Sequence, residues 1–114
     1  MSPAALAMLA AAGLAAVPAA GDLLSVRFAC AGGTGLPVVF VNPEGGPSYA
    51  VVELDGRLIG MRQVVSGSGA RYRSAANADL PVEYQLWIKG DRATLSAGPD
   101  GQDRIVFSDC PQEP

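Results

Sequence analysis

One serine and one lysine carry most of the chemistry this chain can offer. Ser68 lies in Ser66-Gly67-Ser68-Gly69-Ala70-Arg71-Tyr72, and Lys89 in Trp87-Ile88-Lys89-Gly90. Gly67 and Gly69 allow a tight turn with positive φ, since glycine has no Cβ to clash, and such a turn pushes the Ser68 hydroxyl outward. Lys89 is the only lysine in a chain that otherwise takes its positive charge from arginine. A compact ammonium on a flexible stem enters a narrow cleft more readily than a planar guanidinium does.

Two uses of this pair compete with the plain reading as solvated turn and strand-end residues. In the first, Ser68 is a nucleophile and Lys89 its base, which requires the ammonium to be stripped of water so that its pKa falls. The second, implied by the family resemblance given below, presents a hydroxyl and a cation together to a partner's acidic groups. The chain has no histidine, so a Ser-His-Asp triad is excluded. For the same reason, and because the two cysteines are far apart, no metal site is expected.

The elements around the pair favour presentation. Val82, Tyr84, Leu86 and Ile88 alternate with Glu83, Gln85, Trp87 and Lys89, the period-2 pattern of a half-buried strand. Lys89 then has outward parity and is followed by the turn residues Gly90-Asp91, both of which argue against burial. Trp87 shares that parity, either as an interface aromatic or packed under a neighbouring loop.

The remaining chain reads as short strands broken by turns. Strands are expected from Leu24 to Cys30, Leu36 to Val41, Tyr49 to Leu54, Arg57 to Val65, Ala70 to Arg73, Val82 to Lys89, Arg92 to Ser96 and Arg104 to Ser108. Asp55-Gly56 is a two-residue hairpin signal. The pattern predicts an all-β domain of about eight strands, as a meander, sandwich or barrel. The inward candidates are Val26, Phe28, Val52, Leu54, Leu86, Ile88, Ala93, Leu95, Ile105 and Phe107. A barrel of about eight short strands has room inside for little more than its own side chains, which disfavours a lipocalin-like carrier.

The chain has 114 residues, 49% of them apolar, enough for one small domain. Ala4 to Val17 carry no charge and lead into the small residues Val17-Pro18-Ala19-Ala20, so residues 1–20 are expected to be a cleaved secretory signal peptide and 21–114 the mature domain. No basic residue precedes the apolar run. Cys30 follows Arg27-Phe28-Ala29, too far downstream for a lipoprotein signal; no membrane anchor is expected, and the location expected is periplasmic or secreted. Cys30 and Cys110, near the two ends of the mature chain, suit one disulfide in that oxidising compartment. Tying a loop of about 80 residues is worth roughly 4.5 kcal/mol on the chain-entropy estimate. A net charge of −3 without a basic stripe argues against nucleic acid and suits a basic partner.

Taken together, the Ser66 to Tyr72 run, Trp87-Ile88-Lys89-Gly90, and Asp103-Arg104-Ile105-Val106 leading to Cys110 resemble the MliC/PliC inhibitors of c-type lysozyme. Phe28-Ala29-Cys30 is similar to the aromatic-x-Cys opening of that family, as is Asn42-Pro43 after the second strand. The resemblance covers nearly all of the chain after the leader. It implies an eight-stranded antiparallel barrel, no enzymatic activity, no cofactor, and a c-type lysozyme, typically a basic protein, as partner. It also implies that Ser68 and Lys89 enter the lysozyme cleft towards the two catalytic carboxylates. The candidate lysozyme-binding set is Ser66, Gly67, Ser68, Gly69, Arg71, Tyr72, Trp87 and Lys89, with Arg71 and Tyr72 supporting the turn. The segment Arg73 to Leu86 is longer than the family's usual one, which lengthens a loop near the binding edge. The alternatives are a small-ligand-binding barrel and a Ser-Lys hydrolase.

Overall fold

The computed structural model describes residues 22–114; the expected leader over residues 1–20 lies outside them. Eight strands follow in order: β1 (Leu23–Ala29), β2 (Gly35–Val41), β3 (Tyr49–Leu54), β4 (Arg57–Val64), β5 (Ala70–Arg73), β6 (Tyr84–Lys89), β7 (Arg92–Ala97) and β8 (Arg104–Pro111). Each pairs antiparallel with the next, so sheet order is chain order. The expected bounds of β3 and β5 match residue for residue. At the β3–β4 turn, Asp55 and Gly56 both take positive φ, 51° and 79°, as a primed two-residue hairpin requires.

The sheet curls into a nearly closed barrel. Phe28 of β1 bridges Gln112 just past β8. The Glu113 N–H donates to the Arg27 carbonyl over 2.8 Å, and the two side chains form an exposed ion pair at 3.3 Å. The Cys30–Cys110 disulfide joins the same two ends across 80 residues of sequence. A short 3₁₀ turn, Ala31–Gly33, occupies the Gly-rich turn between β1 and β2.

Strict alternation feeds the core. Leu36, Val38 and Phe40 of β2, Ala50 and Val52 of β3, Ile59 and Met61 of β4 and Leu86 of β6 point inward and are buried. They pack around Phe28, Ala93 and Leu95 in one continuous cluster, with Val26, Leu54, Ile88 and Phe107 half-buried against it. The barrel axis is thus filled by side chains.

Ile105 departs from the expected inward set and is 61% exposed. The cause is a shift of register: Leu95 pairs with Phe107 and the next residue, Ser96, with Ile105. The extra residue on β8, Val106, is a β-bulge, and it reverses the parity of everything before it. β6 also starts two residues later than the alternation suggested, leaving Val82 exposed. Here Ser74 closes the neck of the long segment: the Tyr84 N–H donates to Ser74 Oγ over 2.9 Å, and the Ser74 N–H to the Tyr84 carbonyl over 3.0 Å.

Candidate functional site

The site begins with register. Antiparallel pairing of β5 with β6 sets Arg71 opposite Trp87 and Ala70 opposite Ile88. The Ser-Gly turn that enters β5 is therefore carried directly beside the end of β6, where Lys89 stands exposed. The long segment leaves and returns through the Ser74–Tyr84 neck, so its length does not separate the two motifs.

The turn is fastened to β6 by hydrogen bonds. The Ser68 carbonyl accepts from Trp87 Nε1 over 2.9 Å and from Ser66 Oγ over 2.5 Å. Arg71 Nε and Nη2 donate to the Val65 carbonyl over 3.2 and 2.9 Å, which fixes the start of the turn. Gly69 closes it at φ +65°, with its α-carbon so near the Ile88 carbonyl that a Cβ there would collide with that oxygen. The tight turn that the Gly-Ser spacing predicts is present, and Ser68 is exposed on it.

The Lys89 ammonium lies 4.4 Å from the Trp87 ring centroid, close enough for a cation–π contact, and Arg71 Cζ stands 6.0 Å from the same centroid. Among the described residues Lys89 makes no ion pair. It is also exposed, so its ammonium keeps the hydration that a lysine base would have to lose. Trp87 is half-buried, which combines the two roles the sequence left open: it packs against the Ser68 turn and still reaches the surface. Beside Lys89, a cleft of about 140 Å³ is bounded by Trp87, Arg92, Thr94 and Asp109. Asp109, at φ 53°, donates its N–H to Thr94 Oγ1 over 3.0 Å and accepts from Arg92 Nη1 at its carbonyl over 3.1 Å.

Tyr72 stands elsewhere. It points into the barrel, 5% exposed, with its ring 5.6 Å from Phe40. Burial pushes its phenol above the ordinary value of 10.0. It is reached from inside, and supports β5 rather than the surface of the turn. Ser66, Gly67, Ser68, Gly69, Arg71, Trp87 and Lys89 are the candidates that the fold does bring together at one edge.

A polar cluster under that edge escaped sequence reading. Gln85 has outward parity yet is only 7% exposed, because Arg71 and Arg73 both donate to its Oε1, over 2.7 and 3.0 Å. Arg73, its side chain 9% exposed, also donates to Glu83 Oε1 over 3.0 Å and to the Gly98 carbonyl over 2.8 Å, with Asp100 and Asp103 at 3.7 and 3.9 Å. Ser96 Oγ donates to Asp103 Oδ2 over 2.5 Å. The turn from Gly98 to Asp103 is thereby drawn over the outer face of β5 to β7. The signal that could have found it is the outward parity of Arg71, Arg73 and Gln85 on adjacent strands, next to two aspartates in one Gly-Pro-rich turn.

Residues 28–104 match the family model described as membrane-bound lysozyme-inhibitor of c-type lysozyme. The chain is similar to the membrane-bound lysozyme inhibitor of C-type lysozyme of Cupriavidus necator, 35% identical over 74 residues, which is 65% of this chain and 53% of that protein. It is likewise 35% identical over 75 residues to the Escherichia coli protein of the same description, covering 66% of this chain and 56% of that one. The chain thus spans about half the length of these curated relatives. Among solved structures, PliC-St, the periplasmic lysozyme inhibitor of C-type lysozyme from Salmonella typhimurium, superposes with a TM-score of 0.68 at 28% identity. That superposition covers 82% of this chain and 100% of the other.

Proposed function

Because the chain belongs to the family of membrane-bound lysozyme-inhibitors of c-type lysozyme, we propose that its barrel binds a c-type lysozyme and blocks the active-site cleft, turning over no substrate itself. The observation that carries this reading is the shared edge: an exposed hydroxyl residue, Ser68, and an exposed ammonium, Lys89, fastened to one indole. Lysozyme cleaves glycosidic bonds with two carboxyl groups, one held protonated in an apolar pocket and one ionised. Lys89 answers the ionised group with charge, and the Ser68 hydroxyl can donate to or accept from the other. Arg71 and Trp87 support the edge from below, and Ser66, Gly67 and Gly69 shape the turn.

We place this activity in the periplasm or outside the cell, in the domain left after removal of residues 1–20. Among the described residues no helix is long and apolar enough to cross a membrane. The test is a cell-wall lysis assay with a c-type lysozyme and micromolar added protein, run beside ester and amide hydrolase screens. Slowed lysis with no hydrolysis is expected. Unchanged lysis would overturn the inhibitory reading, and hydrolysis lost in Ser68→Ala would replace it with an enzyme.

A further inference from the structure

We infer that Trp87 is the positioning residue of the inhibitory edge, acting on a partner through Ser68 and Lys89 rather than by a contact of its own; this rests on the inhibitory reading above. Two different parts of one indole are engaged. Its N–H, the only polar group it has, donates to the Ser68 carbonyl over 2.9 Å. Its face lies under the Lys89 ammonium at 4.4 Å. The half-buried ring thus holds both residues that bear on carboxylates, Ser68 through its backbone and Lys89 through its ammonium.

The turn needs such a fastener. Ser66 to Gly69 contains two glycines, whose backbone has more freedom to lose than any other residue's. Arg71 holds the Val65 end, through two hydrogen bonds to that carbonyl. Gly69 holds the β5 end, packed on the Ile88 backbone. Between those points the Ser68 carbonyl accepts from Ser66 Oγ, which belongs to the turn itself, and from Trp87, which belongs to the barrel. Trp87 therefore supplies the hydrogen bond that ties the middle of the turn to β6, beyond the Gly69 packing at its end. The same ring limits where the long lysine stem can go, and a contact of that strength is readily exchanged for a carboxylate. Ordering both groups before the encounter lowers the entropy lost on binding.

Replacing Trp87 by Phe keeps an aromatic ring for Lys89 and removes the N–H together with the five-membered half of the indole that carries it. Calorimetric titration of Trp87→Phe, Ser68→Ala and the double variant against a c-type lysozyme makes a mutant cycle. Trp87→Phe should weaken binding about 5- to 30-fold with little change in thermal stability. If Trp87 works through Ser68, the double variant should bind within about twofold of the weaker single variant. Losses that multiply, or a Trp87→Phe protein that binds as the parent does, would overturn the assignment. A second readout needs no lysozyme: ¹⁵N relaxation of the Gly67, Ser68 and Gly69 amides in the free protein. Their order parameters should fall from the rigid range near about 0.85 towards about 0.6 in Trp87→Phe, while those of β7 stay unchanged. If the parent itself fails to bind lysozyme, the inhibitory reading falls, and unchanged order parameters would overturn the clamp on their own.

Discussion

Lys89 and Arg92 face each other across the two-residue Gly90-Asp91 turn, so two cations stand side by side at the tip of the β6–β7 hairpin. Arg92 is held by its hydrogen bond to the Asp109 carbonyl, and Lys89 by the face of Trp87 alone. Lys89→Met keeps the stem and removes the ammonium from an exposed strand end, and should change folding stability by about 0.5 kcal/mol or less. In a complex with lysozyme it leaves a carboxylate buried without its partner, a loss of roughly 2–5 kcal/mol, or a factor of about thirty to several thousand in Kd. Ser68→Ala should lose less, about 1–3 kcal/mol. Calorimetric titration beside thermal melts checks both.

Two glycines of the same turn should respond unequally to alanine. Gly69 has φ +65° and no room for a Cβ, whereas Gly67 has no neighbour within 4 Å of one and no positive φ. Gly69→Ala should destabilise by about 2 kcal/mol and lower Tm by roughly 10 °C, while Gly67→Ala stays within about 0.5 kcal/mol of the parent. Differential scanning calorimetry of the pair decides between them.

The disulfide closes a separation of 80 residues. Reduction should remove up to about 4.5 kcal/mol, a large share of what a domain of this size possesses. Urea melts with and without reductant measure the loss, and intact-mass analysis after alkylation should find no free thiol in the native protein.

Arg73 and Arg27 both form ion pairs, in different surroundings. The Arg73 side chain is 9% exposed and that of Arg27 is 56% exposed. Arg73→Met should cost about 2–3 kcal/mol, less than a fully buried pair because water reaches Glu83 and Asp100. Arg27→Met should stay within about 0.5 kcal/mol. Melting temperatures of the two variants give the comparison.

Tyr72 should make the fold sensitive to alkali. Burial raises its folded-state pKa above 10.0, so the unfolded chain loses this proton first. Its contribution is complete below the unfolded value and is lost as pH rises through the folded one. Urea melts from about pH 8 to 11 should show a decline above pH 10 that is shallower in Tyr72→Phe.

Much of this was legible in sequence because strands and two-residue turns are local. Alternation alone marks Phe28, Val52, Leu86 and Leu95 as core, and Asp55-Gly56 marks its own turn. The edge was legible because the Ser-Gly and Trp-x-Lys-Gly motifs are each contiguous. Ile105 was misplaced because a bulge is a property of a pair of strands, not of one. The burial of Gln85 could not be read either, since it depends on Arg71 and Arg73 from one strand and on a turn held over both by Asp103. Tyr72 shares a contiguous motif with Arg71, but their side chains take opposite faces of β5.

Sheet order that follows chain order has a consequence for how the barrel is assembled. Every hairpin from β1 to β8 can form with the strand made just before it, which keeps most contacts local in sequence and the search for them short. Only the seam between β1 and β8 joins distant parts, and until it shuts the β1 edge is open to any strand that comes near. Cys30 waits through that whole interval for Cys110. With two cysteines in the chain there is a single intramolecular pairing, so oxidation cannot trap a scrambled barrel. The error left open is between chains, and it grows with concentration.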